Sequence, residues 1–241
     1  MNYFEYNGTR SDDMGLRIES KNVFSAPKYD AKFTTIPGRD GELIVPNYRY
    51  PNVQVTYTVF VPAKSISELS ARITAIKAWL YTEPDRYHEL RDSYDSTFFR
   101  RAVINTQLDI EDQLNKIGTF TVSFSCHPFR FSEEGQTPVS VGNGGTIINP
   151  FAFPSKPVIK ISGSGDGVLR VINGAINLWN ITDIENGMLI DSGQMNCYKD
   201  AVPLNDRVSG DGFPLLYPGT SHIVYQGGIT SVEITPGWCT L

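Results

Sequence analysis

The residues best suited to chemistry in this 241-residue chain are three cysteines, Cys126, Cys197 and Cys239, and three histidines, His88, His127 and His222. No two histidines stand in an H-x-x-x-H or H-E-x-x-H spacing, and the adjacent Cys126 and His127 fall on opposite faces of a strand, so they do not chelate one ion. An odd number of widely separated cysteines makes no disulfide framework and reads as buried free thiols. Asp109, Glu111 and Asp112 crowd together without the spaced oxygen ligands and fixed glycine of a calcium loop, which leaves a solvated acidic turn. Neither a G-x-S-x-G nucleophile elbow nor a G-x-x-x-x-G-K-[ST] phosphate loop occurs. The run Gly163-Ser164-Gly165-Asp166-Gly167 lacks the third glycine of a dinucleotide fingerprint, since Val168 stands there, and reads as a hairpin turn. These residues predict no catalytic site, no metal and no cofactor.

Two other sets are suited to recognition. Pro37-Gly38-Arg39-Asp40-Gly41 carries two turn dipeptides between apolar flanks, Thr34 to Ile36 and Leu43 to Val45, and predicts an exposed hairpin tip. Close behind it, Tyr48-Arg49-Tyr50-Pro51 places Tyr and Arg together, the types enriched where proteins meet proteins. Arg39, Asp40, Tyr48, Arg49 and Tyr50 are therefore the candidate protein-interface residues. Trp179, Tyr198 and Trp238 are candidate glycan contacts in an alternative reading, because β-sandwiches bind sugars through exposed aromatic rings; core packing explains the same residues.

The elements that carry these residues are mostly strands. Val53, Val55, Tyr57, Val59 and Val61 alternate with Gln54, Thr56, Thr58 and Phe60, and Phe120, Val122, Phe124 and Cys126 alternate with Thr121, Ser123 and Ser125. Weaker strand patterns cover residues 16–19, 31–36 and 99–108. One helix is predicted over 65–82, where Ile66, Leu69, Ile73, Ile76 and Leu80 repeat at three- and four-residue spacing, Trp79 flanks the stripe, and Ser65 and Glu68 form a capping box. Such a helix packs its stripe across a sheet face. Beyond Pro128 no helical periodicity is found. Short apolar runs at 158–161, 168–172, 188–190, 223–225 and 232–234 are punctuated by Gly, Asn and Pro at the spacing of a β-sandwich. The expected division is residues 1–133 as a first β domain with the helix, and 138–241 as a second.

Composition excludes several functions. A net charge of −5 and the absence of a basic stripe argue against nucleic acid as a partner, since that affinity comes largely from Lys and Arg at phosphates. No apolar stretch approaches the ~20 residues that span a bilayer, and residues 1–7 lack the pattern of a secretory signal, so the expectation is folding in the cytoplasm with no membrane partner.

Taken in order, the motifs resemble the distal tail proteins of siphophages, the bacterial viruses with long non-contractile tails. The resemblance rests on Phe4-x-Tyr6-Asn7-Gly8, Asp13-Met14-Gly15-Leu16, the Pro37 to Gly41 turn, the helix ending in Trp79-Leu80, and Gly118 to Cys126 followed by Pro128-Phe129. It continues through Ile190-Asp191-Ser192, Leu216-Tyr217-Pro218-Gly219 and Ile234-Thr235-Pro236-Gly237-Trp238. It implies an N-terminal β-sheet or barrel-like domain with one packed helix that assembles into a hexameric ring, and a C-terminal galectin-like β-sandwich at the periphery. It further implies a structural hub of the virion tail tip, not an enzyme, made and folded in the bacterial host. Its partners would be further copies of itself, the tail tube protein, a tail-tip or tail-associated protein, and receptor-binding proteins. The chain has no galectin-type His-x-Asn-x-Arg row, so sugar binding does not follow from the resemblance.

Overall fold

The computed structural model describes residues 2–241. They divide into two compact units, one running to Arg130 and including Leu241, the other Phe131–Thr240. The chain is mostly β with one helix, and each unit is built on its own antiparallel sheet.

The strands of the first unit are β1 (Phe4–Tyr6), β2 (Thr9–Arg10), β3 (Arg17–Asn22), β4 (Asp30–Thr35), β5 (Glu42–Arg49), β6 (Val53–Pro62), β7 (His88–Asp92), β8 (Asp95–Ile104), β9 (Glu111–Gln113) and β10 (Ile117–Ser132). Eight of these ten make the main sheet, in the order β2-β1-β7-β8-β10-β6-β3 with β9 added on β10. Alternation sets its register. Phe120 faces Val59, Val122 faces Tyr57, Phe124 faces Val55 and Cys126 faces Val53, so one side of the β6–β10 pair is a continuous buried apolar surface.

Helix α1 (Ile66–Leu80) covers that surface with Leu69, Ile76 and Leu80, which are buried, while Ile66 at its start is exposed. Trp79 stacks on Phe4 at 5.8 Å and donates its indole N–H to the Tyr6 carbonyl at 3.0 Å, tying the helix to β1. At the N-terminus Ser65 Oγ accepts from the Glu68 amide at 3.3 Å. Glu68 does not return the bond to Ser65, as a capping box would; its carboxylate accepts from the Lys64 amide at 2.9 Å and pairs with Arg72 at 2.8 Å. The Arg72 guanidinium one turn on holds the second Glu68 oxygen, and the cap closes one residue earlier.

In the second unit the strands are β11 (Val139–Val141), β12 (Gly145–Asn149), β13 (Val158–Asn173), β14 (Ala175–Glu185), β15 (Met188–Asp191), β16 (Asn196–Lys199), β17 (Val202–Pro203), β18 (Val208–Gly210), β19 (Gly219–Thr235) and β20 (Cys239–Thr240). The separate short strands expected at 158–161 and 168–172 are one 16-residue strand, and those at 223–225 and 232–234 are one 17-residue strand. The glycine run expected to turn a hairpin lies inside β13 as an irregularity of its pairing with β19, between Ser162 and Gly167. Gly163 and Gly228 meet backbone to backbone there, leaving no room for a Cβ on either, so these glycines permit close approach of two bent strands.

One end of β13 pairs with β15 and the other with β14. Ile159, Ile161, Ile190 and Ile234 from the first end share a single core with Leu169, Val171, Trp179 and Ile223 from the second. The long ribbon is thus folded on itself, its two ends forming the layers of a sandwich. No helix among the described residues is long and apolar enough to cross a membrane.

Candidate protein–protein interface

Strands β4 and β5 stand apart from the main sheet and pair only with each other among the described residues. Their register places Phe33 opposite Ile44 with Ala31 opposite Pro46 on one face, and Thr34 opposite Leu43 with Lys32 opposite Val45 on the other. Both faces therefore carry apolar side chains, and these are open: Ile44 is 57% and Phe33 51% exposed, with Leu43 and Val45 also exposed. An isolated two-stranded ribbon is at best marginally stable in water. One with apolar residues on both faces is matched to a surface that covers it.

The predicted turn joins the two strands through Ile36 to Gly41, with the Arg39 amide donating to the Ile36 carbonyl at 3.2 Å and both Arg39 and Asp40 side chains exposed. At the root of the ribbon Asp30 pairs with Arg49 and Ala31 with Pro46, so Asn47 and Tyr48 have no residue opposite and form a bulge. Asp30 bridges it. Asn47 Nδ2 donates to one carboxylate oxygen at 2.8 Å and Arg49 Nε to the other at 2.6 Å, and these two bonds, the amide first, hold the Asp30 carboxyl below its ordinary titration range. Tyr48 adopts φ of 54°, a conformation unusual for a bulky side chain, and is 86% exposed. Tyr50 turns inward, its ring edge-on to Tyr29 at 5.2 Å and to Phe129 at 5.8 Å, which anchors the root.

Of the five candidate interface residues, the structure thus gathers all on one ribbon but gives them different work: Arg39, Asp40 and Tyr48 face solvent, Arg49 braces the bulge, and Tyr50 anchors. The exposed apolar residues Phe33, Leu43, Ile44 and Val45 were not singled out as interface residues from the sequence. Their signal was present as an unbroken apolar run, Leu43-Ile44-Val45, where a half-buried strand would alternate.

The glycan reading loses most of its aromatic surface. Trp179 is 4% and Trp238 5% exposed. Trp179 donates to the Gly212 carbonyl at 2.8 Å and lies against Gly210, where a Cβ would sit 2.8 Å from the indole, and Phe213 packs on its ring at 5.1 Å. Only Tyr198, on β16, keeps partial exposure.

The three thiols and His88 are buried. Burial pushes the thiols of Cys126 up to about 12 and of Cys197 and Cys239 up to about 11. His88 is buried, its Nε2 3.2 Å from the Glu83 carbonyl and its ring edge-on to Tyr6. No group of three His, Cys, Asp or Glu side chains among the described residues is placed to hold a metal.

Comparison with known proteins adds an independent line. Residues 13–126 match the family described as a phage tail protein RIFT-related domain, so the match opens within Asp13-Met14-Gly15-Leu16 and closes at the end of the Gly118 to Cys126 motif. The SPP1 Dit protein, described as a paradigm of hub adsorption apparatus in phages infecting Gram-positive bacteria, superposes with a TM-score of 0.77 at 14% identity, covering 100% of both chains. A chain of the phage P2 baseplate in its activated conformation with Ca gives a TM-score of 0.50 at 8% identity over 97% of each chain. The same baseplate with Sr gives 0.51 at 7% identity, again over 97% of each. At these identities the likeness is one of fold. No curated protein sequence matches the chain.

Proposed function

We propose that this chain, whose residues 13–126 match the phage tail protein RIFT-related domain family and whose whole length shares the fold of the SPP1 Dit protein, is a structural hub of a long-tailed phage's tail tip. In this reading six copies close into a ring that joins the tail tube to the tail-tip and receptor-binding proteins. The observation that carries it is the β4–β5 ribbon, with apolar side chains on both faces that the described residues leave exposed. A ring needs one heterologous interface repeated around an axis, and a ribbon that reaches onto the next copy supplies it. Six such contacts close together hold more tightly than any one of them. The first unit would close the ring and meet the tube, and the second would lie at the periphery as a galectin-like sandwich.

Electron microscopy of tails carrying the protein tests this directly. A six-fold ring of this chain at the tail tip is expected; its absence, or another symmetry, sinks the mechanism. The paired change Phe33→Asp with Ile44→Asp adds charge to an exposed face, so the chain should fold with unchanged melting temperature and yet fail to enter tails. Normal incorporation of that variant would remove the ribbon from the interface.

A further inference from the structure

Outside the ribbon the first unit carries another exposed apolar feature, where Phe24, 78% exposed, and Tyr94, 38% exposed, meet edge-on with ring centroids 5.0 Å apart. Both rings are set by what lies beside them. Phe24 follows Val23, which is buried in the core, and precedes Ser25, whose hydroxyl donates to Asn22 Oδ1 at 2.9 Å. Tyr94 sits in the turn between β7 and β8, its amide donating to Asp92 Oδ1 at 3.0 Å, with Lys21 Nζ 4.1 Å from its ring centroid. Lys21 donates to the same Asp92 oxygen at 2.8 Å, so one carboxylate fixes both the amide and the ammonium around the ring. An aromatic pair held in this way is ordered before a partner arrives, and covering it costs little side-chain freedom. Other exposed rings of the unit are occupied differently. Tyr29 packs on Tyr50, the Tyr81 hydroxyl donates to the Thr106 carbonyl at 2.6 Å, and the Tyr87 hydroxyl accepts from Asn52 at 2.7 Å.

A ring closed by one heterologous contact needs two different surfaces on every copy, one that reaches out and one that receives. In the ring proposed for this chain the ribbon reaches out. We propose that Phe24 and Tyr94 receive, taking the ribbon face of Phe33 and Ile44 from the next copy; this rests on the ring reading and assigns its second surface. Charge selects that face. Segment 22–29 carries the exposed Lys28 and no carboxylate. The face of Phe33 and Ile44 continues into Thr35 opposite Glu42 and bears no cation, whereas the other face carries Lys32 opposite Val45. Chain order suits a contact from tip to root. Strand β4 starts at Asp30, shortly after Phe24, and its six residues reach roughly 20 Å. Each ribbon then runs from beside its own receiving patch towards that of the next copy, and the contact repeats around the ring.

Tails carrying the full chain test this by cross-linking. With Phe24→Cys and Ile44→Cys in every copy, mild oxidation should give a ladder of disulfide-linked multimers on a non-reducing gel, while either change alone should give monomer. The native cysteines are all buried and do not compete. In a second arm, Phe24→Asp adds charge at an exposed position, so the melting temperature should hold while incorporation into tails falls roughly tenfold or more, as for loss of an interface anchor. Tails that contain the double-cysteine chain but give no ladder, or Phe24→Asp incorporated at the unaltered level, overturn the proposal. If the double-cysteine chain does not enter tails, the Phe24→Asp arm decides. Exclusion of Phe33→Asp with Ile44→Asp but not of Phe24→Asp would strike the receiving patch alone, whereas normal entry of both would strike the ring reading with it.

Discussion

Asp30 is one carboxylate accepting two donors from the strand opposite, one within the bulge and one just past it, and its behaviour with pH follows. Hydrogen bonds to its ionised form lower its folded pKa beneath the unfolded value near 3.8, so its contribution is complete above that value and is lost as pH falls through the lower folded one. Carbon-13 NMR of the side-chain carboxyl should give a midpoint below 3.8, and Asn47→Ala and Arg49→Met should each move it up. A midpoint at the free value would mean that the bridge does not form in solution. The thiols make an opposite case. With Cys126 pushed up to about 12, roughly one molecule in ten thousand carries the thiolate at pH 8, and the thiolate is the nucleophile. Iodoacetamide at pH 8 should leave all three cysteines unmodified by mass spectrometry until denaturant is added. Residue types alone put Tyr48, Arg49 and Tyr50 at a surface, but not the division of labour among them, because a bulge is set by cross-strand register. The same limit applies to Trp179, whose burial depends on Gly210 and Gly212 from a later part of the chain.

Helix α1 shows which interactions carry an element. Leu69 and Ile76 are buried against β6 and β10, and truncating either to Ala leaves a cavity in a packed core, at a cost of about 2–5 kcal/mol. Removing the exposed cap with Ser65→Ala should cost about 1 kcal/mol. Urea unfolding followed by circular dichroism should separate the two, and equal losses would show that the helix is not held mainly by packing. This helix and strands β6 and β10 were legible from the sequence because each buries one face, and burial of one face leaves a period in the residues. Strands β13 and β19 were not legible as single elements. Their glycines sit where two bent strands touch, and local sequence does not distinguish a glycine needed for contact from one needed for a turn.

For the molecule as a whole, the ribbon sets the terms on which a free chain differs from one built into a tail. Its apolar faces and its six-residue connection, Ile36 to Gly41, are open in the free chain and would be covered in the ring. Trypsin should cut the free protein first after Arg39, giving fragments 1–39 and 40–241 by mass spectrometry, whereas the same bond in assembled tails should survive. Equal cutting in both would place the ribbon outside the contacts. Exposure of this kind works as a label of age. If copies join through the ribbon, a copy that has found its neighbours would hide its cleavage site, and one that has not would keep displaying it to proteases. A hairpin proposed to join copies would then also clear the surplus, holding the supply of hubs near the number of tails being made.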